Sequence, residues 1–378
     1  KEQLKNKVEQ EDQKIKGNLD NSIELAKEIQ KDIENLKKDL INNKDLGWEQ
    51  KKKIEDLLKK QKQLEDQIKK NNEKNKKNNN TKEKINFSIL EKQRKLEELM
   101  NKVLDEESKA LIEEMKKLLE EMDKKKMKEV LDKMENENSD LEKELDRNLE
   151  LYKELEFEQK LEEIIDKIEE LKEKQESLKK ETQEKNSDSE KLSEKQEDLQ
   201  KELEKLKEDL KKLEEKNSEL ENKKDVPNTD QEKKKASDSM EESKKSLKKK
   251  QKNKSSKQQE ETIEQLEEMS DKLKKLETSE SESKPMEDIE TLRQILENLI
   301  TLSFEQEELL LKISDVPKNS SSIVKYIQKQ KKLSDDAQII EDSLLALSKR
   351  VIQIESIINK EISSINFNME KSINYLEE

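Results

Sequence analysis

Carboxylates are the most abundant groups able to do chemistry in this chain. There are 95 Asp and Glu residues among 378, often adjacent, as in Glu113-Glu114 and Glu162-Glu163. A carboxyl serves as a general acid or base near neutrality only when burial or a like charge raises its pKa. These pairs fall at solvent positions of helical patterns and read as hydrated faces. The same acidic runs could attract Ca²⁺ or Mg²⁺ loosely, but the spacing of an EF-hand loop is missing. There is no His and no Cys, which excludes Ser-His-Asp chemistry, thiol nucleophiles and zinc sites with Cys or His ligands. Gly17 and Gly47 are the only glycines, so a glycine-rich loop that cradles phosphate cannot be built. The expectation is a protein without catalytic residues, cofactor or metal.

The second chemical feature is basic. Between Ser243 and Gln259 stand Lys244, Lys245, Lys248, Lys249, Lys250, Lys252, Lys254 and Lys257, with no acid among them. This could be an anion-binding patch for a lipid headgroup, a nucleic acid or an acidic protein. It reads equally as a solvated face of a lysine-rich chain. No aromatic residue is interleaved, which argues against base stacking. The net charge of −14 repels nucleic acid and anionic lipid overall.

Which elements carry these groups follows from composition. Charged residues make up 47% of the chain and apolar residues only 28%. That is too little to fill one compact core of this length. Glu, Lys, Leu and Gln are strong helix formers, and the apolar residues recur at three- and four-residue spacings. The expected fold class is all-α, as elongated coiled-coil hairpins with a C-terminal helical bundle.

Residues 1–70 read as a helical hairpin. Its first helix carries Ile15, Leu19, Ile23, Ala26, Ile29, Ile33, Leu36 and Leu40. Its second, capped by Asp45, carries Trp48, Ile54, Leu57, Leu58, Leu64 and Ile68. Trp48 could anchor an interface or staple the helix entry against a neighbour. Residues 71–86, rich in Asn and Lys, read as a linker. A helical segment over 87–138 follows, with a re-capping signal at Asp105–Ser108. A break is expected at Asn136–Ser139, where Ser139 and Glu142 fit a capping box.

Residues 139–224 carry the strongest pattern. Leu171, Leu178, Leu192, Leu199, Leu206, Leu213 and Leu220 share one seven-residue repeat, the signature of a coiled coil. Asn186-Ser187-Asp188-Ser189 interrupts it. Four poor helix formers favour a hairpin turn capped by Ser187 with Glu190, whereas the unbroken register favours one continuous helix. Residues 225–262 are polar, lysine-rich and weakly patterned. A short helix and linker occupy 263–285.

Residues 286–378 differ in apolar density and read as the bundle. A wide stripe runs from Ile289 to Ile313, then a turn at Asp315–Ser320, then a second helix from Ile323. Val351 to Leu376 repeats every eleven residues, which predicts a straight helix there. The candidate partner-binding or core residues are Leu292, Leu296, Leu299, Ile340, Leu344, Leu347, Ile354, Ile358, Ile362 and Ile365.

Five stretches resemble a family of long helical proteins of Bacteroidota catalogued as a domain of unknown function. These are residues 291–311 (TLRQILENLITLSFEQEELLL), 329–365, Leu46-Gly47-Trp48-Glu49, Val103–Glu107 and 141–163 (LEKELDRNLELYKELEFEQKLEE), in the same order and spacing. Family members often carry Pro where this chain has Ile352, which predicts a straighter helix here. The resemblance implies an internal soluble portion of a longer, inner-membrane-anchored envelope protein, with the periplasmic side as its expected location. It assigns no catalytic residues. The chain opens Lys1-Glu2 with no apolar leader, which also reads as a fragment or a processed chain. It contains no run of the ~18 apolar residues that a spanning helix needs. The functional expectation is a non-enzymatic scaffold or spacer binding protein partners, with homo-oligomerisation through the heptads. The alternative is the coiled-coil arm of a chromosome-associated or cytoskeletal protein.

Overall fold

The computed structural model describes residues 2–42, 47–79, 87–103, 106–282, 284–314, 316 and 322–377. Among them are eleven α-helices and no strand, so the fold is all-α. The helices are α1 (Glu2–Asn42), α2 (Trp48–Asn79), α3 (Phe87–Lys102), α4 (Glu106–Glu121), α5 (Lys124–Gln183), α6 (Ser189–Ser218), α7 (Asp230–Lys248), α8 (Lys252–Glu282), α9 (Lys284–Ser314), α10 (Ser322–Ser348) and α11 (Ser356–Glu377). None of the described helices is long and apolar enough to cross a membrane. The expected cap at Asp45, the first residue of the Asp105–Ser108 signal, the linker beyond Asn79 and the turn residues Asp315 and Pro317–Ser320 lie outside the described residues.

The chain forms two compact units, Lys1–Tyr152 with Asp288–Glu378, and Lys153–Glu287. The expected C-terminal bundle is therefore part of the same unit as the N-terminal hairpin.

In the first unit, α1 packs along α2, and every apolar residue expected on its inner face, from Ile15 to Leu40, is buried. The expected linker at 71–79 is instead the last part of α2. Asn71, Asn75 and Asn78 are buried and continue the spacing of Leu64 and Ile68 in polar form. Asn71 Oδ1 accepts from Asn18 Nδ2 at 3.2 Å, and Asn78 Nδ2 donates to Asp12 Oδ1 at 2.5 Å. These bonds make the burial of the Asn71 carbonyl oxygen and the Asn78 amide nitrogen tolerable. The stripe was invisible to an apolar pattern because amides replace hydrocarbons.

The expected break at Asn136–Ser139 is also helical, inside the long α5. Asn138 is buried and donates to Ala26 O at 2.9 Å and Gln30 Oε1 at 3.0 Å. The real break lies at Met122, in the left-handed region at φ 58°. Asp123 opens α5 there, its Oδ1 accepting Lys126 N at 3.1 Å. Trp48 does not staple a neighbour: it is 76% exposed, with Lys52 Nζ 5.2 Å from its ring centre.

In the second unit the C-terminal part of α5 packs with α6, α7 and α8 around one core. That core contains the heptad leucines Leu171, Leu178, Leu192, Leu199, Leu206, Leu213 and Leu220. The chain leaves helix at 184–188, so α5 and α6 are separate helices joined by a turn. Its cap is Asp188 rather than Ser187, with Oδ1 accepting Glu190 N at 2.9 Å. The expected weakly structured segment 225–262 is helical over most of its length. Its buried face combines Ala236, Met240 and Leu247 with Ser243, Ser246, Ser255, Gln258, Gln259 and Thr262, a helical stripe written largely in polar residues. One layer crosses all four helices: Gln196 Oε1 accepts from Gln175 Nε2, Ser243 Oγ and Gln259 Nε2 at 3.2, 2.9 and 3.1 Å. Elsewhere on α6, burial opposes the charge of Asp209, yet Lys160 and Lys167 hold its carboxyl at about 2.

Candidate partner-binding surface

The candidate residues at the C-terminal end lie on α9, α10, α11 and the turn between the last two, whose common core holds Ile295, Leu302, Leu309, Leu333, Ala337, Ile340, Leu344, Leu347, Ile354, Ile362 and Met369. Leu299 is half-buried against it. The wide stripe of α9 thus divides in two. Ile295, Leu302 and Leu309, seven apart, turn inward.

The rest of the stripe turns outward. Ile289, Leu292, Leu296, Ile300, Phe304, Leu310 and Leu311 are 46–68% exposed. Their spacing of three, four, four and four, followed by six and one, keeps them along one side of α9. Of the candidates, Leu292 and Leu296 therefore belong to a surface, whereas Ile340, Leu344, Leu347, Ile354 and Ile362 are core.

The eleven-residue repeat does not survive. Residues 349–355 form a turn, and α11 begins only at Ser356, so the helix is not straight through Ile352. After the turn α11 buries Asn359, Ile362, Ser363, Asn366 and Met369. Ile358 and Ile365 are 47% and 40% exposed. The polar residues of this seam have polar partners: Asn359 reaches Glu144 of α5, and Ser363 and Asn366 reach Glu341 of α10.

Arg147 is fully buried. Its Nε donates to Ser348 O at 2.9 Å and its Nη2 to Ile354 O, so one guanidinium ties both ends of the α10–α11 turn to α5. Lys349 pairs with Asp146 at 2.6 Å, and Asn359 Nδ2 donates to Glu144 Oε1 at 3.0 Å. Lys143, Ser363 and Asn366 all donate to Glu341. Burial works against the charge of Glu341, and those donors outweigh it, holding its pKa below the ordinary value. Asp140 is the opposite case. Burial pushes its carboxyl up to about 7, with the nearby Ser363 hydroxyl and the charge of Lys143 opposing. Lys102, Glu137, Asp140, Asn359 and Lys360 line a cleft of about 250 Å³ beside this network. No group of three or more acidic side chains placed to hold a metal ion occurs among the described residues.

Sequence reasoning missed Asp140 and Arg147. A signal existed for the second. Of 81 basic residues only four are Arg, at 94, 147, 293 and 350. Arg is the residue for forked or buried contacts where Lys would not serve. Arg350 behaves likewise, donating from Nε to Asp288 Oδ1 at 2.8 Å.

The lysine patch is only partly free. Lys244 pairs with Glu197 at 2.6 Å and Lys245 with Glu241 at 2.5 Å. Lys252 Nζ donates to Glu184 O, Ser187 O and Ser187 Oγ at 3.1, 2.8 and 2.7 Å. It thereby covers carbonyls at the C-terminal end of α5, where a cation suits the helix dipole. Lys248, Lys249, Lys250, Lys254 and Lys257 are exposed. Comparison with protein-family models, curated proteins and solved structures returned no match.

Proposed function

We propose that this chain is a non-enzymatic helical scaffold or spacer that mediates protein–protein interaction in a bacterial cell envelope. The observation that carries the reading is the outward face of α9. The C-terminal bundle closes its core and still displays a run of large apolar side chains, from Ile289 to Leu311. Contiguous exposed apolar surface of this kind marks interaction sites. Burial of the heptad leucines against α7 and α8 of the same chain supports a self-contained bundle over the arm of a two-stranded coil. The envelope setting rests on the resemblance of residues 141–163, 291–311 and 329–365 to the Bacteroidota family.

The test is a photoreactive amino acid at Leu296, compared with one at Glu214, which is exposed on α6. Expressed in a Bacteroidota host, the chain labelled at 296 is expected to form defined protein adducts that position 214 does not. Equal, diffuse labelling from both positions would remove the scaffold reading.

A further inference from the structure

The outward face of α9 carries Arg293, Glu297, Ser303 and Glu307 among its apolar side chains, and the two of opposite charge placed symmetrically, Arg293 and Glu307, bear on its occupant. Counting from Ile300, Arg293 stands seven residues before and Glu307 seven residues after. Seven residues are almost two helical turns, so all three share one side of the helix. Glu307 is exposed and makes no ion pair among the described residues. Arg293 is 70% exposed and reaches only Glu290, at 3.8 Å. An unpaired acid and a barely paired base thus sit at equal distances either side of an isoleucine.

We propose that a second copy of this chain occupies this face through an antiparallel α9–α9 pairing centred on Ile300. The inference rests on the reading of α9 as an interaction surface. A two-fold axis at Ile300 places each residue opposite its mirror in the count, as an isologous interface requires. Arg293 then meets Glu307 of the other copy, twice. Leu296 meets Phe304 and Ile289 meets Leu311, while Leu292 and Leu310, at the edges of the face, fall opposite Glu308 and Glu290. A parallel pairing in register instead sets Glu307 on Glu307 and Arg293 on Arg293, which like charges oppose. The charge pattern therefore specifies direction as well as partner.

The area approaches that of a standard interface. Seven large side chains are 46–68% exposed, and covering them removes on the order of 100 Å² each. A standard interface buries roughly 800 Å² per partner. An anionic bilayer is a poorer occupant, since α9 carries seven acids against three bases.

The chain has no Cys, so single cysteines report self-contact without background. Ile300→Cys is expected to form a disulfide-linked dimer of the full chain under mild oxidation. Ile289→Cys alone is expected not to, but to cross-link when mixed with Leu311→Cys. Equal self-cross-linking of Ile289→Cys and Ile300→Cys indicates parallel pairing and overturns the proposal. In sedimentation equilibrium, Arg293→Glu or Glu307→Arg is expected to weaken dimerisation at least tenfold, and the double reversal to restore it. Both positions are exposed, and unchanged circular dichroism confirms the fold. A chain that stays monomeric at ~50 µM and forms no disulfide overturns the proposal. If such a monomer still gives defined adducts from position 296, the scaffold reading survives without the dimer; without adducts both fall.

Discussion

Arg147 and Ser348 are 201 residues apart in the chain, yet the buried guanidinium donates to the Ser348 carbonyl at 2.9 Å. The same side chain reaches Ile354 O. The α10–α11 turn is thereby held by a residue of α5, and the hairpin depends on packing as well as on its own turn residues.

Arg147→Ala should cost about 3–5 kcal/mol, because two buried carbonyls and Glu144 lose their partner. Arg147→Lys should recover only part of this, since an ammonium lacks the planar fork. Denaturant unfolding of the full chain measures both. Amide exchange should accelerate first at 348–356. Equal stabilities for wild type and Arg147→Ala would contradict the structural role of the guanidinium.

Asp140 should make stability fall as pH rises. Its carboxyl titrates at about 7 in the folded chain and near 4 when unfolded. The folded state therefore binds the extra proton between these values. Below about pH 4 both states are protonated and the stabilisation is complete; it is lost progressively up to about pH 7. Glu137 and Glu341 add to the rise, and Lys143 opposes it. Asp140→Asn should remove this slope, gaining on the order of 3 kcal/mol relative to wild type between pH 4 and pH 8. Parallel stability–pH curves for the two proteins would contradict it.

Lys250 adopts φ 59° at the end of α7. Gln251 N bonds Ser246 O at 2.9 Å and Lys250 N bonds Leu247 O at 2.8 Å, the pattern of a helix end that normally takes Gly. Lys250→Gly should stabilise by about 1 kcal/mol, because a side chain in this conformation is strained. A rise in melting temperature is the expected readout, and Met122→Gly should behave alike.

Gln196 is fully buried and serves donors from α5, α7 and α8. Gln196→Leu leaves Gln175, Ser243 and Gln259 without their shared acceptor. It should destabilise the chain by roughly 1–3 kcal/mol despite adding apolar volume. A thermal scan suffices, and a neutral or raised melting temperature would show the layer to be dispensable.

Sequence alone determined the helical class, because strong helix formers and three-to-four spacing leave little else for so polar a chain. It located the inner faces of α1 and α6, where leucine and isoleucine mark the seam. At 186–189 it offered a turn and a continuous helix alike, and the fold decided for the turn. It failed wherever the seam is polar. Asn71, Asn75 and Asn78, the Ser and Gln residues of α7 and α8, and Asn359, Ser363 and Asn366 are inner positions, but an apolar pattern cannot mark them. Their burial depends on partners tens to hundreds of residues away, such as Asn18 for Asn71 and Glu144 for Asn359. The same holds for the surface. Both apolar edges of α9 are equally periodic in sequence. Only the packing of α10 and α11 against Ile295, Leu302 and Leu309 decides which edge is core, leaving Leu296, Ile300 and Phe304 exposed to water.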